Sequence, residues 1–322
     1  MINYSIIIPH YNIPDLLIRC VRSIPVRDDV EVIVVDDNSP EGENYPKNYP
    51  DLMRKGLTYI HLDKNIGGGG GRNVGLKHAK GKWLIFADAD DFFNYCFNDI
   101  LNDYEDSDCD VIYLNANSVD TETYVNTGRS APVNKWINRY MQSGGADKDA
   151  DYELRYCFGT PWCKIIKSNM VRQHHIIYEE TPIHNDTQFG YLIGYYAKKI
   201  GVDIRASYCI TDREGSVSRV LDADRYLTRV MVFAKKYSFL HSHDIEYKEW
   251  RFIESVVEYY QEHNLTDYLE KTREILSDYG IDMNFIMQSV ISKQKHHKRR
   301  VLKMKIIDRV NIELKKLLRF NF

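Results

Sequence analysis

Residues 83–91 read Trp83-Leu84-Ile85-Phe86-Ala87-Asp88-Ala89-Asp90-Asp91: five apolar residues run straight into three carboxylates. A short, continuously apolar run is the mark of a strand buried on both faces, as in a parallel sheet. The acids then fall at its carboxyl end, where open α/β sheets place their ligands. Asp88 and Asp90 are one residue apart, so on an extended chain they point the same way. Like charges that close raise one another's proton affinity unless a cation lies between them. Hard oxygens of this kind suit Mg²⁺ or Mn²⁺, which keep waters and share a substrate's phosphates. An acidic strand-to-helix turn with Asp at a helix N-cap fits the same nine residues. The rest of the chain decides between the two.

Working outward, Tyr4 to Pro9 is an apolar, β-branched run, the first strand, followed by the loop Pro9-His10-Tyr11-Asn12. Asp15 to Ile24 has helical spacing. Glu31 to Val35 is a second buried strand ending in Asp36-Asp37-Asn38-Ser39. Residues 40–56 carry three prolines and read as a loop with an ill-defined helix; Leu57 to Leu62 is a third strand. Asn65-Ile66-Gly67-Gly68-Gly69-Gly70-Gly71-Arg72-Asn73-Val74-Gly75 then leads into a helix through Ala79, and Gly81 turns the chain into the acidic strand. Strand and helix alternating at these spacings mean βαβ units and a parallel sheet.

The glycine run fits neither common nucleotide fingerprint. The one Gly-Lys pair, Gly81-Lys82, has Leu76 where a P-loop needs glycine, and G-x-G-x-x-G fails in every register. What remains is a flexible loop delivering Arg72 and the first amides of a helix to one place, a combination that favours a phosphate.

Beyond Asp91, Phe92 to Tyr104 reads as a helix and Val111 to Leu114 as a strand. Residues 116–150 are polar, with weak periodicity, and are expected to form an insertion facing an acceptor. Next come Pro161-Trp162-Cys163-Lys164 and then Asn185-Asp186, with Asp186 in the first turn of an apolar helix that runs through Ala197. Such an aspartate serves equally as a helix-terminus charge or as a general base. Ser207 to Thr211 is a further strand, and helical patterns dominate after about residue 220.

The 322 residues, 43% apolar and 28% charged, are those of a globular protein of one large or two ordinary domains. A net charge of −3 gives no reason to expect nucleic acid as a partner. No stretch approaches the roughly 18 apolar residues of a membrane span. The N-terminus lacks a basic n-region and enters a strand directly, so no signal peptide is expected. Six scattered cysteines without a C-x-x-C suggest reduced thiols and a cytoplasmic location. From Lys293 onward eleven basic residues face two acids, with Met304, Ile307, Val310, Leu314 and Leu317 on one helical side. This basic amphipathic pattern fits an anionic membrane surface, on the cytoplasmic face of an inner membrane, or a helix packed on its own domain.

Taken in series, these pieces resemble the family 2 glycosyltransferases of bacterial surface-polysaccharide synthesis, which have the GT-A fold. The likeness runs over residues 4–218 and rests on Ile6 to Asn12, Ile33 to Ser39, the stretch from Asn65 to Gly75, the D-x-D within Phe86 to Asp91, and Pro161 to Lys164. It implies a Rossmann-like α/β sandwich with a mostly parallel sheet. The catalytic domain would be 1–218, divided into a donor-binding part (1–115) and an acceptor side (116–218), with a C-terminal helical region at 219–322. The resemblance assigns Asp37 or Asp36 to the nucleotide base with Pro9, Tyr11 and Asn12 nearby. It places Arg72 by the diphosphate, Asp88 and Ala89 by the ribose or metal, and Lys164 in the donor site. Asp88 and Asp90 would hold Mn²⁺ or Mg²⁺, and Asp186 would be the catalytic base. Gly71 stands where alanine is usual, and Asn185 where glutamate is common. The activity implied is metal-dependent transfer, with inversion, from a nucleotide-sugar (a UDP-sugar foremost) to a glycan or lipid-linked acceptor. Two other readings stand beside it. A sugar-phosphate nucleotidyltransferase would need a glycine- and basic-rich loop where Pro9-His10-Tyr11-Asn12 stands, and an inactive homologue would bind the donor without turnover.

Overall fold

The computed structural model describes residues 1–213 and 222–293, so nearly all of the basic segment expected to form an amphipathic helix lies outside the described residues. The described residues group into two compact units, one within 1–220 and one within 221–322.

The first unit is built on one sheet. Its strands are β1 (Tyr4–His10), β2 (Val30–Asp36), β3 (Leu57–His61), β4 (Trp83–Phe86), β5 (Phe92–Phe93), β6 (Val111–Asp120), β7 (Lys164–Lys167) and β8 (Ile200–Asp212), in the spatial order β3-β2-β1-β4-β7-β6-β8-β5. β3, β2, β1 and β4 pair in parallel. β7 is antiparallel to both its neighbours, β6 and β8 are parallel, and β5 lies antiparallel on β8. The sheet is therefore mostly parallel, as its apolar strands require: every residue of β4 and nearly every residue of β1 and β2 is buried. The helices of this unit are α1 (Pro14–Ser23), α2 (Tyr45–Asn48), α3 (Gly67–His78), α4 (Phe97–Tyr104), α5 (Ala131–Gln142), α6 (Lys148–Tyr152), α7 (Ser168–Gln173) and α8 (Thr187–Tyr196). The register pairs His10 with Asp36 and Ile7 with Phe86, so the loops after β1, β2 and β4 emerge along one edge of the sheet.

The second unit is helical: α9 (Ala223–Ser242), α10 (Arg251–Glu262) and α11 (Thr266–Asp278) pack on one another. Asp222 caps α9 by accepting the Arg225 amide, Phe233 stacks on Phe252, and the buried Lys236 ammonium pairs with Glu249.

Three expectations need correction. Residues 92–104 are not one helix: Phe92 and Phe93 pair with β8, and α4 begins at Phe97. The Phe93 amide is held by the Ser23 hydroxyl, which keeps that segment extended. The strand expected over Val111 to Leu114 does not stop there: β6 continues to Asp120, and within 116–150 α5 buries Val133 and Ile137. A register shift between Leu114 and Ala116 breaks the alternation by which that strand would have been recognised.

The third correction concerns the glycine run, which is the opening of α3 rather than a flexible loop. Glycine costs a helix interior about 1 kcal/mol relative to alanine, so a close approach must require it here. A Cβ on Gly69 would stand 2.0 Å from the Glu179 carbonyl oxygen, and one on Gly75 would stand 2.4 Å from Ile7 Cγ2. In an ordinary helix Gly→Ala stabilises. Gly69→Ala is expected to destabilise instead, by about 1–3 kcal/mol, because backbone must move to admit the methyl group. The midpoint of denaturant unfolding measures this, and a rise in stability would show that the contact with Glu179 is not tight.

Candidate active site

The loop after β1 is tied to the loop after β2 through one buried carboxylate. Asp36 Oδ1 accepts from His10 Nδ1 (2.8 Å) and the Ser39 hydroxyl (2.5 Å); Oδ2 accepts from His61 Nδ1 (2.6 Å) and the Ser39 amide (3.1 Å). His10 Nε2 accepts the Ile13 amide at 3.0 Å, so the proton sits on Nδ1 and the ring is locked between the two loops. Burial alone would push the Asp36 carboxyl up, but these donors outweigh it and hold it below the usual carboxylate range. Such a group adds stability above the unfolded pKa of about 4, and that stability is lost as pH falls through the lower folded value. Asp36→Asn is therefore expected to cost about 1–3 kcal/mol at pH 7. Its unfolding free energy should change less than that of the wild type between pH 5 and 3; parallel pH curves would exclude this role.

Asp37 organises the next element. Its two oxygens accept the amides of Ile66 (2.7 Å) and Gly67 (2.8 Å), and its carbonyl accepts from the Asn65 side chain at 3.0 Å. A carboxylate there also complements the positive end of α3. The helix then presents Arg72 on the cleft side, nearly buried. Arg72 Nη2 donates to Asp88 Oδ1 at 2.6 Å and Nη1 to Asn185 Oδ1 at 3.1 Å, while its guanidinium stands over the Tyr178 ring at 5.3 Å. Arg72 Nε is buried and has no protein partner.

The acidic motif is a turn rather than extended chain: β4 ends at Phe86, and the Asp91 amide returns to the Asp88 carbonyl at 3.1 Å. Asp88 and Asp90 nonetheless sense one another. Burial pushes the Asp88 carboxyl up, Arg72 opposes that, and Asp90 adds to it. Asp90 Oδ2 accepts from Arg213 Nε at 3.0 Å, so each carboxylate gives one oxygen to an arginine. Asp91 is buried, with its Oδ1 on the Thr211 amide at 2.7 Å.

Next to Asn185, which Arg72 binds, Asp186 stands at the N-cap position of α8 but makes no capping hydrogen bond. Its carboxylate is not spent on the helix. Burial raises its pKa, with Arg72 and Lys164 pulling the other way. Lys164 is buried on β7; its ammonium donates to the Thr160 carbonyl and lies 3.7 Å from the centre of the Phe158 ring. Desolvation pushes its pKa down to about 7, against the pull of Cys163 and Asp186. Asn12, Asn38, Cys163 and His184 all have φ between 53° and 63°, and each lies in or beside a loop of this site. Left-handed backbone at a cysteine and a histidine is uncommon, and such positions gather at functional sites.

Residues 5–171 match the glycosyl transferase family 2 profile. The chain belongs to that family.

The glycosyltransferase has bacterial relatives that carry the same family name. Glycosyltransferase GlyG of Streptococcus pneumoniae serotype 4 is 26% identical over 282 residues, 82% of this chain and 90% of the relative. TarS of Staphylococcus aureus, a poly(ribitol-phosphate) beta-N-acetylglucosaminyltransferase, is 27% identical over 224 residues, 67% of this chain and 36% of the relative. The solved structure of TarS 1–349 in complex with UDP-GlcNAc matches with a TM-score of 0.58 at 21% identity, covering 86% of this chain and 80% of that one. Mannosyltransferase PcManGT from Pyrobaculum calidifontis, in complex with GDP-Man and Mn²⁺, gives a TM-score of 0.52 at 13% identity, covering 86% and 73%. These structures share the GT-A fold with the glycosyltransferase.

Within that fold, Arg72, Asp88, Asn185 and Asp186 come together, and Asp90 lies beside Asp88. Tyr11 is half-exposed and Asn12 exposed at the mouth; Pro9 lies beneath α3, and Ala89 is buried in the turn. Asp36 is a correction: its side chain turns inward at the end of β2, and four protein donors leave it nothing to offer a nucleotide base. The buried Lys164 ammonium meets the Thr160 carbonyl and the Phe158 ring face and feels the charge of Asp186. His10, His61, Arg19, Tyr208 and Thr211 carry no mark in the sequence that sets them apart. Each acts through a partner far along the chain, and no local spacing marks that.

Proposed function

We propose that this glycosyltransferase moves a sugar from a UDP-sugar to a hydroxyl of a cell-surface glycan or lipid-linked acceptor, by single displacement with inversion and with a divalent metal. The observation that carries the reading is the Asp186 carboxylate, free of capping and raised in pKa, gathered at one site with the Arg72–Asp88 pair.

The acceptor hydroxyl is a weak nucleophile and must lose its proton as it attacks. A carboxylate with a raised pKa takes that proton more readily than an ordinary one. Arg72, paired with Asp88, supplies positive charge for the negative charge that a departing diphosphate gathers. Its orphaned buried Nε marks the same spot as built for an anion. In the proposed direct displacement the base and the leaving group act on opposite faces of an oxocarbenium-like centre, hence inversion.

Asp88 and Asp90 fit a divalent cation by their chemistry: two carboxylates, each with one oxygen already on an arginine. Among the described residues no group of three or more acidic, histidine or cysteine side chains forms a complete metal cage. An ion held there would fill its shell with water and phosphate oxygens, the habit of Mg²⁺ and Mn²⁺. When bound, it would neutralise charge on the leaving diphosphate. The Mn²⁺ complex of the mannosyltransferase and the UDP-GlcNAc complex of TarS support the metal and the nucleotide by likeness.

Thermal unfolding with UDP-sugars, UDP, GDP-sugars and NAD, each with Mn²⁺ or EDTA, tests the reading. A ligand at 100 times its Kd stabilises by about 2.7 kcal/mol. A UDP-sugar shift that vanishes in EDTA is expected; a metal-independent shift with NAD alone would overturn it. The basic segment from Lys293 is proposed to hold the enzyme on an anionic membrane surface. Sedimentation with anionic but not neutral vesicles is the corresponding result, and equal binding to both would reject it.

A further inference from the structure

Strand β8 grips the D-x-D turn from a distance of some 120 residues in sequence. The Asp88 amide donates to the Tyr208 hydroxyl at 2.8 Å. Thr211 donates its hydroxyl to the Asp90 carbonyl at 2.5 Å and its amide to Asp91 at 2.7 Å. Arg19 Nη2 donates to the same Asp90 carbonyl, also at 2.5 Å. Of these, Tyr208 alone bonds to the backbone of Asp88, the residue that carries the Arg72 contact. Its ring is sealed from solvent, stacked on Trp162 at 6.1 Å between centroids and met edge-on by Phe93 at 5.2 Å. The hydroxyl therefore has a fixed position, and the amide that meets it is fixed in turn.

We infer that Tyr208 is a positioning residue for nucleotide binding: its buried hydroxyl, by taking the Asp88 amide, sets where the Asp88 carboxylate stands relative to Arg72 and Asp90. This inference rests on the reading of Asp88 and Asp90 as the donor and metal side. Packing alone would need only the ring, which phenylalanine supplies. The hydroxyl adds polar contacts that the ring cannot supply: it takes the Asp88 amide, which meets no other acceptor among the described residues, and it also meets the Asp91 carboxylate of the same turn. Without it the turn must shift to satisfy that amide, because a buried donor left unpaired is costly. The shift falls on Asp88 directly and on Asp90 two residues later, so the pair loses its spacing while Asp186, on another element, keeps its place.

Tyr208→Phe in the full chain tests this by titrating Mn²⁺ alone, UDP alone and UDP with Mn²⁺, using Mn²⁺ paramagnetic resonance and calorimetry. The expected result is about a tenfold loss of affinity for UDP with Mn²⁺, the size of one well-placed hydrogen bond. The donor KM should rise similarly, with kcat at saturating donor within about twofold of wild type. Phe93→Leu is the packing control, since the Phe93 side chain meets the same ring and carries no polar group to bond the turn. It should lower the thermal midpoint and leave UDP–Mn²⁺ affinity unchanged. Wild-type affinity in Tyr208→Phe, or an equal loss in Phe93→Leu, overturns the inference while leaving the proposed activity intact. If the wild type itself shows no metal-dependent UDP binding, the reading of the site falls, and the inference with it.

Discussion

Asp186→Asn should cut the transfer rate by about 10²- to 10⁴-fold, the range a positioned general base contributes, while UDP binding stays at the wild-type level. The substitution keeps the shape of the side chain and removes its basicity. An aspartate at the start of a helix commonly earns its place by capping, and its loss then weakens the fold. Here the side chain makes no capping bond, so the folded structure should tolerate the change. Nor does Asp186 hydrogen-bond Arg72, whose two nitrogens go to Asp88 and Asn185, so the donor side should be undisturbed. A pH profile supplies a second reading of the same group. Burial pushes the Asp186 carboxyl above the ordinary aspartate value of about 3.9, and only the deprotonated form accepts a proton. The wild-type kcat/KM should thus rise with pH through a midpoint above 3.9, and the asparagine variant should lack that limb. Near-wild-type transfer by Asp186→Asn, or loss of UDP binding equal to the loss of rate, would refute the assignment.

What could be read in advance follows from how far each interaction reaches along the chain. The strands β1, β2 and β4 were legible because a strand buried on both faces announces itself as an unbroken apolar run. The acidic turn was legible because open sheets place ligands at strand ends. Its local geometry was not: extension past Phe86 would have aligned Asp88 and Asp90, whereas the turn is closed by the Asp91 amide. Asp36 and Asp37 look interchangeable as letters, yet strand alternation turns one into the protein and leaves the other to cap α3. The glycine run misled for a related reason. Composition reports freedom, but the absent Cβ atoms make room for the Glu179 carbonyl and for Ile7, which are 110 and 68 residues away. Contacts of that span, like the grip of Tyr208 on Asp88, leave no periodic trace.

Arg72→Met should be the most damaging single change to the donor side, and Arg72→Lys separates the reasons. The guanidinium bridges Asp88 and Asn185 with two different nitrogens and lies over the Tyr178 ring. Removing it takes from Asp88 and Asp186 the nearest cation that opposes their burial, so both carboxyls would move further up in pKa. The stability cost is expected to be about 1–3 kcal/mol, below that of a fully buried pair because the Asp88 side chain is 32% exposed against 9% for Arg72. Donor affinity should fall more than stability does, since a diphosphate would lose both the charge and the orphaned Nε donor. Lysine restores the charge as a single point and cannot span two acceptors with a planar fork. Arg72→Lys should therefore recover most of the stability and little of the donor affinity, read by unfolding and by UDP titration on the same samples. Equal recovery of both would mean that Arg72 acts by charge alone. The presence of Asn185 gives the fork its particular balance. A neutral partner orients the arginine without drawing its charge, which stays available to Asp88, to Asp186 and to an incoming anion. Glutamate at that position would compete for the charge, so the asparagine that departs from the common pattern is compatible with an active base.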